Sequence, residues 1–76
     1  MAKLPVLSAR EVLKALERAG FARVAQKGSH VRLKSFRQGQ TRIVVVPLHP
    51  EIAKGTLLSI IRQAGMSREE FLALLG

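Results

Sequence analysis

A turn followed by an alternating stretch, at residues 26–34, constrains the fold more than any other feature of the sequence. Lys27 precedes Gly28 there, and glycine adopts backbone conformations that are closed to other residues, which suits a tight turn. After the turn, Val31 and Leu33 alternate with polar residues, a period of two that predicts a β-strand with one buried face. The other, open face would carry His30, Arg32 and Lys34. A histidine that shares an open face with two cations suits the binding of a polyanion and the transfer of a proton on it.

The alternating stretch is the second of three predicted strands. Apolar and β-branched residues bounded by glycine-containing turns predict strands at residues 21–26, 29–36 and 41–46. If Phe36 pairs with Thr41, the same register places Pro47 beside His30. The unbroken apolar run at residues 43–46 predicts that the third strand is the central or the most buried one.

Three helices are predicted around these strands. A capping box at residues 8–11 begins a helix that runs to about Ala19. Apolar residues at helical spacing predict a second helix from near Gly55 to Ala64, ended by Gly65. A second capping box at residues 67–70 begins a short last helix. The chain is therefore predicted to be an α+β domain of order α-β-β-β-α with an extra short C-terminal helix. Its helices should cover one face of a three-stranded antiparallel sheet, an order that a double-stranded-RNA-binding domain shares.

The charge of the chain is strongly unbalanced. Thirteen Lys and Arg face five Asp and Glu, a formal net charge of +8. The segment from residue 18 to residue 50 contains no acidic residue and seven basic ones: Arg18, Arg23, Lys27, Arg32, Lys34, Arg37 and Arg42. A basic block of this kind is typical of a nucleic-acid binder, and the plain alternative is a solvated basic surface. Proteins bind membrane surfaces through basic amphipathic helices, whereas most of the basic residues of this segment lie on predicted strands.

Length and composition exclude several other classes. Seventy-six residues make one small domain, here residues 1–76. The absence of cysteine excludes disulfides and thiolate zinc sites, and it fits a cytoplasmic protein. No apolar run approaches the roughly 18 residues that span a bilayer, and the N-terminus does not read as a signal peptide.

The polar residues of the second strand match the requirements of RNA cleavage. RNA carries its own nucleophile, the 2′-hydroxyl, so cleavage needs a base, an acid and positive charge around the phosphorus. His30 can perform either proton transfer, and Arg32 and Lys34 can hold the phosphate. Taken alone, however, this pattern favours an ordinary surface histidine at the start of a strand.

The second histidine and the neighbouring serine have competing interpretations. His49 lies between two prolines, where it is either an acid partner for His30 or, the favoured interpretation, a rigid loop residue. Two histidines without a nearby acid make a poor metal site, so no metal and no cofactor are expected. Ser29 should face away from His30 on a strand, which argues against a serine nucleophile. The turn amides of Gly28 and Ser29 could instead bind a phosphate.

Four motifs, in order along the chain, match a known family. They are Gly20-Phe21; Lys27-Gly28-Ser29-His30; Val46-Pro47-Leu48-His49; and Lys54-Gly55-Thr56-Leu57 with Ile60-Ile61 and Gln63-Ala64-Gly65. With these motifs the chain resembles the HicA (YcfA-like) toxins of bacterial and archaeal toxin–antitoxin pairs, which are mRNA interferases. The resemblance implies a fold like that of double-stranded-RNA-binding domains, a metal-independent endoribonuclease activity, and a catalytic role for His30. It also implies a HicB-type antitoxin that covers the active face.

The candidate site follows from the residues and the resemblance together. His30 is the predicted catalytic residue and His49 a secondary candidate. The predicted RNA-binding residues are Lys27, Gly28, Ser29, Arg32, Lys34, Arg23 and Arg42. The alternative is a non-catalytic RNA-binding module of the same fold.

Overall fold

The computed structural model describes residues 3–37 and 39–76 of the chain. The elements, in chain order, are α1 (Ala9–Arg18), β1 (Ala22–Lys27), β2 (His30–Arg37), β3 (Gln40–Pro47), α2 (Lys54–Gln63) and α3 (Arg68–Ala73). The predicted α+β order, with an extra short helix at the C-terminal end, is confirmed. None of these helices is long and apolar enough to span a membrane.

The three strands form one antiparallel sheet in the order β1-β2-β3. The predicted register between β2 and β3 is confirmed, since Phe36 pairs with Thr41 and His30 pairs with Pro47. Of the two alternatives predicted for the third strand, the central position is wrong, because β2 is central and β3 lies at an edge. As for the other alternative, burial, β3 has three buried residues and β1 has none. The apolar run misled because its residues alternate between two environments, with Val44 buried and Ile43 49% exposed on the opposite side.

The edge strand β3 is partly covered by α2. The Val45 amide donates to Oε1 of Gln63 at 3.2 Å. This amide therefore points away from β2, and a side chain satisfies a ladder group that an edge strand would otherwise offer to solvent. Pro47, which has no amide hydrogen, ends the same strand at the position where such a donor is not needed.

The core fills the space between one face of the sheet and the helices. Val31 and Leu33 of β2 are 1% and 0% exposed, as their alternation predicts. They belong to one apolar cluster with residues of the three helices, among them Val12, Leu16, Leu57, Ile60 and Phe71. The opposite face of the sheet is left without a covering layer by the described helices, and its composition determines what the protein can bind.

Two of the three helices begin with the capping box that the sequence predicts. The Glu11 amide donates to Oγ of Ser8 at 3.3 Å, and the Ser67 amide donates to Oε1 of Glu70 at 2.8 Å; both capping boxes are complete. The helix α2 begins at Lys54, slightly earlier than predicted, and its N-cap residue makes no side-chain hydrogen bond.

Gly65 follows the C-terminal end of α2, and its φ of +72° lies in the left-handed region. A Cβ atom at this position would also meet the guanidinium group of Arg42, which lies against Gly65. Gly55, in the first turn of the same helix, has no such neighbour within 4 Å of an added Cβ. The two glycines therefore differ in what an alanine would cost.

We expect Gly65→Ala to lower the free energy of unfolding by about 1–2 kcal/mol, the cost of a left-handed conformation for a residue with a Cβ. The flexible Arg42 side chain can move aside, so the backbone term should dominate. Gly55→Ala is the matched control and should raise the free energy of unfolding by about 0.5–1 kcal/mol, because alanine is the better helix former. Urea unfolding of both variants measures the difference. Equal stabilities would contradict this assignment of Gly65.

Candidate functional site on the open face of the sheet

The open face carries a cluster of cations around one histidine. Cross-strand partners lie on the same side of a sheet, so the register determines which side chains share this face. Lys27 pairs with His30, and Arg32 pairs with Ala25 on β1 and with Val45 on β3. The next position along β2 is Lys34, which is exposed. The prediction that His30, Arg32 and Lys34 share one face is confirmed, and the structure adds Lys27 to the group.

A pocket of about 450 Å³ lies at the His30 end of this face. It is lined by Ala25, Lys27, His30, Arg32 and Val45. Two cations therefore border the imidazole inside one concavity. This arrangement can attract an anionic group through charge and can exchange a proton with it through the imidazole.

His30 is held in place by the turn that precedes it. Gly28 has a φ of +59°, which allows β1 to reverse within two residues so that Lys27 pairs directly with His30. The Ser29 carbonyl accepts from the Leu48 amide at 2.6 Å, which ties the turn to the loop after β3. The start of β2 is thus fixed from both neighbouring strands.

Ser29 is not placed as its sequence position suggested. It lies in the turn and not in the strand, so the argument that it faces away from His30 is wrong. Its Oγ is 3.5 Å from Nδ1 of His30, at the outer limit for a hydrogen bond. If the hydroxyl donates to Nδ1, the neutral ring carries its proton on Nε2. Ser29 can therefore bias the tautomer of the imidazole.

Two of the predicted RNA-binding cations lie away from this cluster. Arg23 pairs across the sheet with Leu33, on the helix side, and its Nε contacts Oε2 of Glu17 in α1 at 3.1 Å. Arg42 also lies on the helix side, against Gly65, and donates to Oε1 of Gln40 at 3.0 Å. The sequence analysis grouped both residues with the open-face cations by charge alone, whereas the alternation of side chains along each strand places them on the helix side of the sheet.

The remaining residues of the basic block are also divided among different surroundings. Arg18 donates to the Leu74 carbonyl at 2.7 Å and so ties α1 to the C-terminal segment. The side chain of Arg37 lies outside the described part of the structure. Of the six basic residues between positions 18 and 42 whose side chains the structure describes, three therefore lie on the open face: Lys27, Arg32 and Lys34.

His49 does not line the pocket that contains His30. Its carbonyl accepts from the Ala9 amide at 3.0 Å, and its own amide donates to the Pro47 carbonyl at 2.9 Å. The residue therefore helps to anchor the first turn of α1 to the loop after β3. This placement agrees with the interpretation of His49 as a structural loop residue.

The described residues offer no cluster of three or more His, Cys, Asp or Glu side chains that could hold a metal ion. The neighbours of His30 in its pocket are cations and apolar side chains, and a cationic surrounding opposes the binding of a metal cation. The donor set around His30 therefore fits an anionic ligand and does not fit a metal.

Sequence reasoning missed part of the open face. Phe36 is 74% exposed and follows His30, Arg32 and Lys34 at a spacing of two residues. Ala25 lines the pocket but has no side-chain chemistry to draw attention. The alternation of side chains along β2 is enough to place Phe36 on the open face. The position of Ala25 on that face depends on the register shift in β1 between Arg23 and Ala25.

The fold and the site together define a small, basic α+β domain that presents one histidine among cations on an uncovered sheet. A family model described as the HicA toxin of bacterial toxin–antitoxin systems matches residues 9–66. The chain belongs to this family of toxins, and membership implies an antitoxin as its partner. No curated protein matches the chain.

Arg32 and Arg42 lie on opposite sides of the sheet, so two substitutions that each remove one positive charge should have different effects on binding. Arg32→Gln should weaken the binding of single-stranded RNA and reduce the slope of log affinity against log salt by about 0.7, the contribution of one phosphate contact. Arg42→Gln, on the helix side, should leave that slope unchanged. A salt titration with a short 2′-O-methyl RNA measures both. Equal losses for the two variants would show that net charge, and not the open face, governs binding.

Proposed function

We propose that the protein is the toxin of a type II toxin–antitoxin pair and acts as a metal-independent endoribonuclease that cleaves mRNA. The observation that carries the proposal is the exposed His30 in a pocket bordered by Lys27 and Arg32. Family membership supports a toxin, and the pocket supports chemistry on a phosphate. Because mRNA is the proposed substrate, the protein would act in the cytoplasm, as the single domain formed by residues 1–76.

In the proposed reaction the substrate supplies its own nucleophile. The 2′-oxygen attacks the adjacent phosphorus, and the bond from phosphorus to the 5′-oxygen breaks. His30 takes the proton of the 2′-hydroxyl as a base, and the resulting imidazolium returns a proton to the leaving 5′-oxygen as an acid. The products are a 2′,3′-cyclic phosphate and a 5′-hydroxyl, so no atom, electron or metal ion has to be supplied from elsewhere.

The neighbouring cations have a separate task in this proposal. Lys27 and Arg32 stabilise the negative charge that develops on the phosphorane oxygens, and Lys34 holds the strand further along the sheet. The amides of Gly28 and Ser29 offer additional donors to a phosphate at the turn. Arg23 and Arg42 are not included, because they lie on the helix side of the sheet.

The proposed partner is a HicB-type antitoxin that covers the open face. The five acidic residues of the chain lie in α1, in α3 and in the loop before α2, so the sheet itself contributes only positive charge. A partner that blocks this face should therefore present acidic side chains to it. Masking of His30 would then inhibit the toxin without any change in its fold.

A non-catalytic RNA-binding module is the alternative function. The same cations would bind RNA in that case, and His30 would be only one more polar residue on the face. The two functions differ in a single observable, the cleavage of a bound RNA by the wild-type protein.

The direct test of the proposal is His30→Ala, with His49→Ala as the matched histidine control. His30→Ala should lower the rate of RNA cleavage by about a hundredfold to ten-thousandfold, the usual contribution of a positioned acid or base. RNA affinity and melting temperature should change little, because His30 is exposed and the cations remain. His49→Ala should keep most of the activity. A His30→Ala protein that is folded and fully active would refute the assignment.

The antitoxin proposal predicts protection at residues 28–34. Hydrogen exchange in this segment should slow when the partner binds, because its turn amides and its side of the sheet become covered. The amides of α2 serve as an internal reference and should be unaffected. An inhibitory partner that left residues 28–34 unprotected would have to act at another surface.

A further inference from the structure

One of the three phenylalanines of the chain is exposed, and it lies on the open face. Phe21 and Phe71 are 3% and 0% exposed and belong to the core, whereas Phe36 is 74% exposed. The sequence contains no Trp and no Tyr, so, apart from the imidazole of His30, Phe36 is the one aromatic ring among the described side chains that a ligand on this face could meet. A lone exposed apolar residue needs no explanation by itself, but the surroundings of this one are specific.

Phe36 ends a row of side chains that starts at the proposed catalytic residue. His30, Arg32 and Lys34 precede it on the same side of β2. On the adjacent strand, Val45 pairs with Arg32 and Ile43 pairs with Lys34. The open face therefore presents a cationic row beside an apolar row, about 5 Å apart at their Cβ atoms.

This pair of rows matches the two sides of a single nucleic-acid strand. Such a strand has phosphates along one side and bases along the other, and proteins bind it with a cationic track and an aromatic stacking surface. A duplex keeps its bases stacked inside and could use only the cationic row. A protein partner would gain from the apolar row, but the cations at Lys27, Arg32 and Lys34 favour a polyanion.

We propose that Phe36 is a base-stacking residue that selects single-stranded RNA, with the phosphates lying over Arg32 and Lys34, neighbouring bases over Val45 and Ile43, and the base that follows Lys34 on the ring of Phe36. This inference rests on the proposed ribonuclease function and goes beyond it by assigning a substrate-binding residue. Phe36 lies six residues from His30 along β2, a distance of about 20 Å. It therefore contacts a base several nucleotides from the cleaved bond and contributes to affinity and to the preference for unpaired RNA, not to the chemical step.

The absence of tryptophan allows a direct spectroscopic test. Phe36→Trp introduces a single indole at the proposed stacking position, and Val6→Trp introduces one at a site of matched exposure, 73%, in the segment before α1. The ligand is a short unstructured RNA with 2′-O-methyl sugars, which lacks the nucleophile and is not cleaved. Binding should quench the Phe36→Trp fluorescence and leave the Val6→Trp fluorescence unchanged.

Affinity supplies the second measurement. Phe36→Leu keeps an apolar side chain but removes the ring, and it should weaken binding of the unstructured RNA by about 5- to 150-fold, the range for loss of one stacked base. Binding of a fully paired RNA hairpin stem should not change. Unaltered affinity of Phe36→Leu, or equal quenching of the two tryptophans, would overturn the proposal.

Two further outcomes separate this inference from the function on which it rests. If the wild-type protein binds and cleaves RNA but Phe36→Leu does so equally well, the stacking assignment fails and the ribonuclease stands. If the wild-type protein binds no RNA, both fall. Loss of antitoxin binding in Phe36→Leu, with RNA affinity retained, would assign the ring to the protein partner and overturn the proposal.

Discussion

The burial of Val31 and Leu33 is the interaction on which the rest of the structure depends. These two residues fix β2 against the helices, and β2 is the central strand, which pairs on both sides. A shift of one residue would move Val31 and Leu33 to the solvent side and turn His30 and Arg32 toward the core. The hydrophobic effect on one face of the sheet therefore sets the position of the polar chemistry on the other face. The turn at Gly28 and the bond from the Leu48 amide to the Ser29 carbonyl then fix the end of the strand that carries His30.

Positive charge in this chain has two uses. Some cations contact other elements of the fold: Arg23 forms an exposed ion pair with Glu17, which adds little stability, and Arg18 ties the C-terminal segment to α1. Others gather on the open face, where like charges repel one another and the sheet offers no acid to offset them. That grouping cannot be explained by the stability of the isolated domain. It would be accounted for by the proposed RNA ligand, or by the proposed antitoxin if that partner presents acidic side chains to this face.

Much of the fold could be predicted from local pattern, because the signals are short-range. Two capping boxes predicted where α1 and α3 begin. The alternation after Gly28 predicted which residues of β2 lie on the open face, and one hairpin predicted the register between β2 and β3. The failures concern features that depend on the third dimension. The run at residues 43–46 looked central because a sequence does not show which face of an edge strand is covered. The location of Arg23 and Arg42 on the helix side could not be predicted, because charge along a chain does not show on which side of the sheet a residue lies. The shift in β1 before Ala25 has no signature in the sequence that would have predicted it.

The central claim is that the protein cleaves RNA without a metal ion, with the RNA's own 2′-hydroxyl as the nucleophile. Analysis of the end groups of a cleaved RNA tests this claim most directly, because the chemistry of the ends records which oxygen attacked the phosphorus. The account predicts 2′,3′-cyclic phosphate and 5′-hydroxyl ends, formed at the same rate with and without EDTA and not formed from DNA. Products with a 5′-phosphate would contradict it, since a water molecule would then have attacked the phosphorus, and so would cleavage that EDTA abolishes, since a metal ion would then assist the reaction.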